Sequence, residues 1–335
     1  MYIISAIIAF SLLIIVHELG HFTLAKINGV KVEEFSLGMG PKLFGYKGKE
    51  TEYLIKALPI GGYVKMLGEE ETVSDKRAFS SKTPAQKLSI IAAGPFMNLI
   101  LAILLFGIVG SRGYLVPVVS KLEANTPAVT SGIQVGDKIL KVNNKKISTW
   151  EDFSTEVYTT KGKALDLTLL RNGKSEIINV TPVMNTEEKR FIIGIYPSTL
   201  KNPTISQDIS YGFRQTGSLI KQTIGFFGTL FKGQASSSDF GGPVTIIKLS
   251  GAVAKAGIIP LMTFAAYLSV QLAIFNIIPF PALDGGWIFL FLFEIITRKK
   301  VDDKKVGFIN YIGFALIMTL MVLVTIKDIL YPIKF

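Results

Sequence analysis

The two histidines of this chain stand four residues apart, in His17-Glu18-Leu19-Gly20-His21. On a helix that spacing puts both imidazoles on one face, where they can reach a single metal ion. Glu18 beside them is placed to take a proton from water held by that ion. Strings of this form also arise by chance in proteins that bind no metal. Two facts favour chemistry here. The chain has no other histidine, and Tyr2 to Val16 carry no charge. An ionised side chain at the centre of a membrane span costs roughly 2.5–3.5 kcal/mol on insertion scales, so polar clusters at that depth are retained for function.

The elements around the cluster must hold it in lipid. Of 335 residues, 49% are hydrophobic, with mean hydropathy +0.44; several spans are expected. Four stretches are long enough: Tyr2 to Ala25, Leu88 to Gly110, Ile258 to Ile278 with a continuation from Trp287 to Ile296, and Phe308 to Ile326. The third is broken by Pro279 and Pro281, with Asp284-Gly285-Gly286 following. Broken backbone at membrane depth survives only where protein or a polar cavity covers it, so the break is a second site-like feature. The first stretch lacks a basic leader and a small-residue cleavage site, and reads as a retained span.

Lys and Arg exceed Asp and Glu by 36 − 25 = 11. With this hydropathy the lipid bilayer and its anionic headgroups are the expected partner, not nucleic acid, for which no motif appears. The absence of cysteine excludes disulfides, thiolate zinc sites and a cysteine nucleophile. Arg298, Lys299, Lys300, Lys304 and Lys305 crowd one short loop, which places it in the cytoplasm. Counting back, the segment between spans one and two is also cytoplasmic. The long segment between spans two and three, and both termini, then lie outside.

Residues 26–85 alternate like strands and are rich in glycine, as in Ile60-Gly61-Gly62-Tyr63-Val64. They predict β-hairpins beside the metal helix, either a solvated sheet or an open edge that pairs with an extended substrate. Residues 114–195 form a β-rich module. Its Gly132-Ile133-Gln134-Val135-Gly136-Asp137-Lys138-Ile139-Leu140 run and its Arg171-Asn172-Gly173-Lys174 turn resemble a PDZ domain, present in one copy. Such modules bind peptides by strand addition; a steric filter without its own ligand is the alternative. Residues 205–232 mix Phe213, Leu219, Ile220, Phe226 and Phe227 with Arg214, Lys221 and Lys232. This predicts an amphipathic helix, either on the membrane or packed on the module. Gln234 to Ser238 reads as a flexible connection, and Phe240 to Val244 as a turn before the third span.

A catalytic zinc ion takes three protein ligands and keeps one open position. Without a third histidine, a carboxylate is needed. Glu33 and Glu34 come too soon, in strand-like sequence, and position 27, where one soluble pattern has histidine, is Ile27. Asp284 at the broken span is the best candidate. His17-Glu18-Leu19-Gly20-His21, Gly94-Pro95-Phe96-Met97-Asn98 and Asn276-Ile277-Ile278-Pro279-Phe280-Pro281-Ala282-Leu283-Asp284-Gly285 together resemble the three motifs of the site-2 protease family of intramembrane zinc metalloproteases. Gly61 to Glu69 and the single PDZ-like module resemble its bacterial RseP/RasP branch. Some relatives carry two PDZ modules.

The resemblance implies Zn2+ bound by His17, His21 and Asp284, with Glu18 as general base and then acid. It implies that Asn276 and Asn98 hydrogen-bond substrate backbone or the developing oxyanion, helix–helix bonding being their competing role. The loop with Gly61 and Gly62 would hold an unwound substrate as an added strand. Substrates would be single-pass membrane proteins such as trimmed anti-sigma factors, or remnant signal peptides, cut near the cytoplasmic side of a bacterial cytoplasmic (inner) membrane. The expected fold is a polytopic α-helical membrane protein with four transmembrane helices, a membrane-associated β-hairpin region and an inserted extracytoplasmic PDZ-like domain. The expected divisions are a first span 1–25, β-hairpins 26–85, second span 86–111, PDZ domain 112–200, amphipathic juxtamembrane region 201–256, third span 257–297, cytoplasmic loop 298–306, and fourth span with tail 307–335. A membrane metal carrier using the same three ligands, or a PDZ adaptor with an inactive core, are the rival functions.

Overall fold

Backbone in lipid must satisfy its own hydrogen bonds, so long apolar runs become helices. The computed structural model describes residues 2–69, 73–186, 190–233 and 241–332. Gln234 to Ser238 and Phe240 lie outside the described residues. Helix α1 (Tyr2–Ile27) leads into strands β1 (Val32–Lys47) and β2 (Glu52–Met66), then helix α2 (Pro84–Gly110). Next come β3 (Tyr114–Leu122), α3 (Pro127–Thr130), β4 (Lys138–Val142), β5 (Lys145–Lys146), α4 (Trp150–Thr159), β6 (Leu165–Arg171) and β7 (Lys174–Val180). After β8 (Val183–Asn185), β9 (Arg190–Ile192) and β10 (Ile195–Leu200), the rest is helical: α5 (Ile205–Phe231), α6 (Pro243–Ala256), α7 (Ile258–Ile277), α8 (Asp284–Thr297) and α9 (Asp303–Leu330). Four described helices, α1, α2, α7 and α9, are long and apolar enough to cross a membrane. The protein is a multi-pass membrane protein. The continuation of the third span is a separate helix, α8, after an irregular loop at 278–283.

The chain divides into two compact units, one formed by residues up to Leu105 with those from Lys232 onward, the other by Phe106–Phe231. In the first, α1 crosses α2 very closely. A Cβ at Gly20 would overlap the Ala93 carbonyl, so only glycine permits this approach, a common device between membrane helices. Helix α6 packs on α1, α7 and α9. Asp328 of α9 accepts a hydrogen bond from the Thr245 amide (3.0 Å) in the first turn of α6, using donors that a helix start leaves open.

Strands β1 and β2 are each bent into two arms. Residues 32–37 pair with 62–66 on one side and with 52–55 on the other, and 52–55 pair outward with 44–47. The bends fall at Gly38, Gly40 and Gly61, all with φ of +80 to +85°, a region open to glycine. The result is a four-armed sheet whose 62–66 arm is an edge. Val32, Val64 and Met66 of the sheet share a core with Ala25 of α1, Phe79 of the connection between β2 and α2, Ile90 of α2 and Phe291 of α8. Trp287 stacks on Phe291 with ring centroids 5.8 Å apart. Phe291 lies two helical turns from Asp284, on the same face of α8. Burying Phe291 therefore sets the rotation of α8 and the direction of Asp284.

The second unit carries an antiparallel sheet in the order β10-β3-β4-β6-β7, with β5 paired to β4 and a separate β8–β9 ladder. Alternate residues of β6, Leu165, Leu167 and Leu169, are fully buried with Ile139, Val142, Phe153 and Val180, each worth about 1.5–3 kcal/mol of burial. Thr149 and Asp152 form a reciprocal capping box at the start of α4. Helix α5 packs on this module through its polar side: Ser218 bonds Thr149 (3.2 Å) and Asp152, and Gln215, Thr216 and Thr223 are buried. Its Tyr211 occupies the space that a side chain at Gly110 would fill, and stacks on Tyr114 at 4.1 Å.

The glycine-rich run before β4 has a structural purpose. Asp137 is buried and accepts from Arg171 Nε and Nη2 at 2.8 and 2.7 Å and from the Gln134 amide at 2.8 Å. This bidentate pair ties the β6–β7 turn to the β3–β4 connection. The guanidinium holds the Asp137 carboxyl below the ordinary carboxylate range, against the effect of burial. Its stabilisation is complete above about pH 4, the unfolded carboxyl value, and is lost as pH falls through the lowered folded value. Arg171→Met is expected to reduce the module's resistance to urea and protease at pH 7, and the deficit should shrink below about pH 4. A deficit independent of pH would refute the assignment.

Candidate metal centre and active site

Imidazole nitrogens from α1 meet a carboxylate from α8. His17 Nε2 and His21 Nε2 are 3.2 Å apart, and Asp284 Oδ2 lies 3.2 Å from the first and 3.5 Å from the second. Among the described residues these three form a cluster able to hold a metal ion. Tetrahedral zinc with ligands at 2.0–2.1 Å separates neighbouring ligand atoms by about 3.3–3.4 Å. The observed triangle has that size.

A hydrogen-bond partner stands behind each imidazole. His21 Nδ1 lies 3.0 Å from the Ile90 carbonyl, which can only accept. Nδ1 therefore carries the proton and Nε2 presents a lone pair. Asn98 sets its amide 3.1 Å from His17 Nδ1, and its own Oδ1 is buried without a partner. With the amide turned end for end, Oδ1 accepts from His17 Nδ1–H, which leaves a lone pair on His17 Nε2. Both Nε2 lone pairs and an otherwise unpartnered Asp284 Oδ2 then converge on one point. Three electron-rich atoms at that separation repel unless a cation lies between them. The residues fit a divalent metal, and two imidazoles with one carboxylate suit zinc.

Close packing of α1 on α2 creates this convergence. A Cβ at Gly94 would overlap both imidazole rings, so α2 must be bare there. Ser269 of α7 donates to the Asn98 carbonyl at 2.8 Å, fixing the same stretch of α2 from the other side. Glu18, one residue on from His17, turns toward the sheet. Gly62 lies against it, since a Cβ at Gly62 would stand 3.0 Å from Glu18 Cγ. A cavity of about 160 Å³ opens between Glu18 and His21 on one wall and Gly62, Tyr63 and Met66 on the other, with Ile91 beside them. It has room for several waters.

The residues expected from sequence are placed as follows. His17, His21 and Asp284 come together, Glu18 borders the adjoining cavity, and Gly62 reaches Glu18. Gly61 makes the bend that delivers Gly62, with Met39 packed on it. Asn276 is half-exposed near the end of α7, its amide unpartnered among the described residues. Asn98 is fully buried behind His17, away from the cavity, so its contact is with an imidazole. Gly94, Ile90 and Ser269 were not singled out as site residues. The first stands in the glycine-proline motif, a usable signal; a backbone carbonyl and a serine on an apolar helix give none.

The profile of peptidase family M50 matches residues 5–320. The chain belongs to peptidase family M50. Over 334 residues this M50 chain is 54% identical to a Clostridium acetobutylicum protein named as a zinc metalloprotease, covering 99% of this chain and 98% of that one. It is 31% identical to the regulator of sigma-W protease RasP of Bacillus subtilis, covering 98% of each. Among solved structures, the PDZ domain of an SdrC-like protein from Listeria monocytogenes matches 26% of this chain and 87% of its own length, at 16% identity and TM-score 0.22. This M50 chain is a zinc metalloprotease of the site-2 type.

Asn98→Leu preserves bulk but removes the bond to His17, and is expected to weaken zinc binding about 10- to 100-fold, the usual cost of losing such a partner. Competition with a fluorescent chelator reads this directly. Gly94→Val should abolish binding by displacing both rings. Unchanged affinity in Asn98→Leu would show that the amide does not orient His17.

Proposed function

We propose that the protein hydrolyses peptide bonds within the transmembrane segments of single-pass membrane proteins, with His17, His21 and Asp284 holding zinc and Glu18 moving the proton. The observation that carries this reading is the triangle of two Nε2 atoms and one carboxylate oxygen, bordered by a second carboxylate and a cavity with room for several waters. Zinc bound there supplies Lewis acidity, polarising a peptide carbonyl and making water acidic enough to lose a proton near neutral pH. Glu18 takes that proton and passes it to the departing amine nitrogen. A substrate helix hides its carbonyls in its own hydrogen bonds, so it must first be extended. The 62–66 edge, whose glycine lies against Glu18, would pair with it as a further strand. Asn276, with an unpartnered amide, is the residue we assign to the substrate backbone.

The name of the Bacillus relative, a regulator of sigma-W protease, supports anti-sigma factors as one substrate class; remnant signal peptides, a second class, rest on the motif resemblance alone. The basic loop at 298–305 supports a cytoplasmic face for the sheet and an extracytoplasmic PDZ-like module, and the bacterial source of the relatives supports a bacterial inner membrane. Helix α5 would lie at the outer surface of that membrane. Its exposed side carries Ile205, Ile209, Phe213 and Ile224, flanked by exposed Arg214 and Lys221, the pattern of an interfacial helix.

Cleavage of a single-pass substrate in liposomes, read by product mass, tests the chemistry. Glu18→Gln should lower turnover about 10²- to 10⁴-fold while zinc stays bound, and chelation should abolish cleavage reversibly. Undiminished cleavage would remove Glu18 as the base. Bound zinc without cleavage of several substrates would favour a carrier. The missing cysteines make a second test clean: a spin label at Phe213→Cys or Ile224→Cys should be reached by oxygen and shielded from an aqueous nickel complex, unlike one at Lys146→Cys on the module. Equal access by the nickel complex at all three would rule out membrane contact.

A further inference from the structure

Helix α9 belongs to none of the three motifs, yet it grips the loop that presents Asp284. Ala282, two residues before Asp284, has φ of +71°. That left-handed conformation is unfavourable for a residue with a Cβ. Its amide donates to Asn310 Oδ1 of α9 at 3.1 Å. One turn further along α9, Gly313 lies under Pro281; a Cβ there would stand 2.5 Å from Pro281 Cβ and 2.6 Å from its carbonyl oxygen. Asn310 and Gly313 thus form one small, polar face turned to the loop. Around them Phe308, Tyr311, Ile312, Phe314 and Leu316 are exposed, as expected of a lipid-facing helix. An asparagine is out of place on such a helix unless it has a partner.

The remaining loop bonds are local. The Phe280 amide donates to Ile278 O (2.7 Å), Leu283 to Phe280 O (3.2 Å) and Gly286 to Leu283 O (3.0 Å). Gly285 and Gly286 let this turn close on itself, since a Cβ at either would overlap the carbonyls of Ile278 or Phe280. None of these bonds holds Ala282 in its left-handed state. Asn310 does, and Ala282 leads directly through Leu283 into Asp284.

We propose that Asn310 is a positioning residue for the metal centre. By accepting the Ala282 amide it keeps the loop in the one conformation that turns Asp284 toward His17 and His21. It touches neither metal nor substrate. The inference rests on the zinc peptidase reading given above and adds the fourth span to the site.

The test measures zinc affinity by chelator competition, turnover and thermal stability on the full-length protein in detergent. Asn310→Leu is expected to weaken zinc binding about tenfold or more, in the range for residues that orient ligands, and to lower kcat with KM little changed. Asn310→Asp retains the acceptor and should recover most of the affinity. Ala282→Gly supplies the decisive arm. Glycine adopts positive φ without the steric penalty, so Ala282→Gly should suppress the Asn310→Leu defect. Zinc affinity and kcat unaffected by Asn310→Leu would overturn the inference alone. So would a loss that tracks thermal stability and resists rescue by Ala282→Gly, which would make Asn310 a packing contact only. Wild-type protein that fails to bind zinc would overturn the peptidase reading, and this inference with it.

Discussion

Three electron-rich atoms held within 3.5 Å of one another in apolar surroundings are the constraint on which the membrane half is built. Their mutual repulsion is strongest where the dielectric is low, so each must be held from behind. His21 is held by a carbonyl of α2, His17 by a buried amide of the same helix, and Asp284 by the rotation that Phe291 imposes on α8. Asp284 also stands in the first turn of α8, where the helix dipole favours a carboxylate. Strain of this kind needs a cation to relieve it.

Close approach is the means by which the fold meets that constraint. Gly20 brings the backbones of α1 and α2 together, Gly94 clears space for two rings, and Gly62 lays a sheet edge against Glu18. Each would be blocked by a single methyl group. Driving force for such contacts in lipid comes from packing and hydrogen bonding, because lipid tails are as apolar as the side chains. The hydrophobic core that Phe79, Met66 and Phe291 share with α1, α2 and the sheet adds further packing.

Much of this was legible in the sequence. His17, Glu18 and His21 announce themselves by spacing, and Asp284 by being an acid after two prolines in an apolar run. Four spans follow from hydropathy alone. The two-sided pairing of residues 32–37 was not legible, because an alternating pattern states which face is buried but not how many neighbours a strand has. Asn98 could be located by its motif, yet its orientation toward His17 depends on the α1–α2 crossing. The Asp137–Arg171 pair joins residues 34 positions apart, and nothing local marks it. The sequence allowed α5 either a membrane surface or a place on the module. Its polar side takes the module and its apolar side stays exposed, a division set by tertiary contacts.

The order of elements along the chain has a consequence in time. The histidine pair lies on the first helix, while the carboxylate that completes the cluster follows the seventh, and the asparagine behind its loop lies on the ninth. A chain emerging from the ribosome inserts them in that order. Until α8 has been made, the two imidazoles have no carboxylate partner, and until α9 has been made, the loop has no clasp. Assembly of the cluster is therefore deferred until α8 and α9 have followed the earlier spans into the bilayer, so the imidazole pair stands without its carboxylate while α1, α2 and the sheet are already in place.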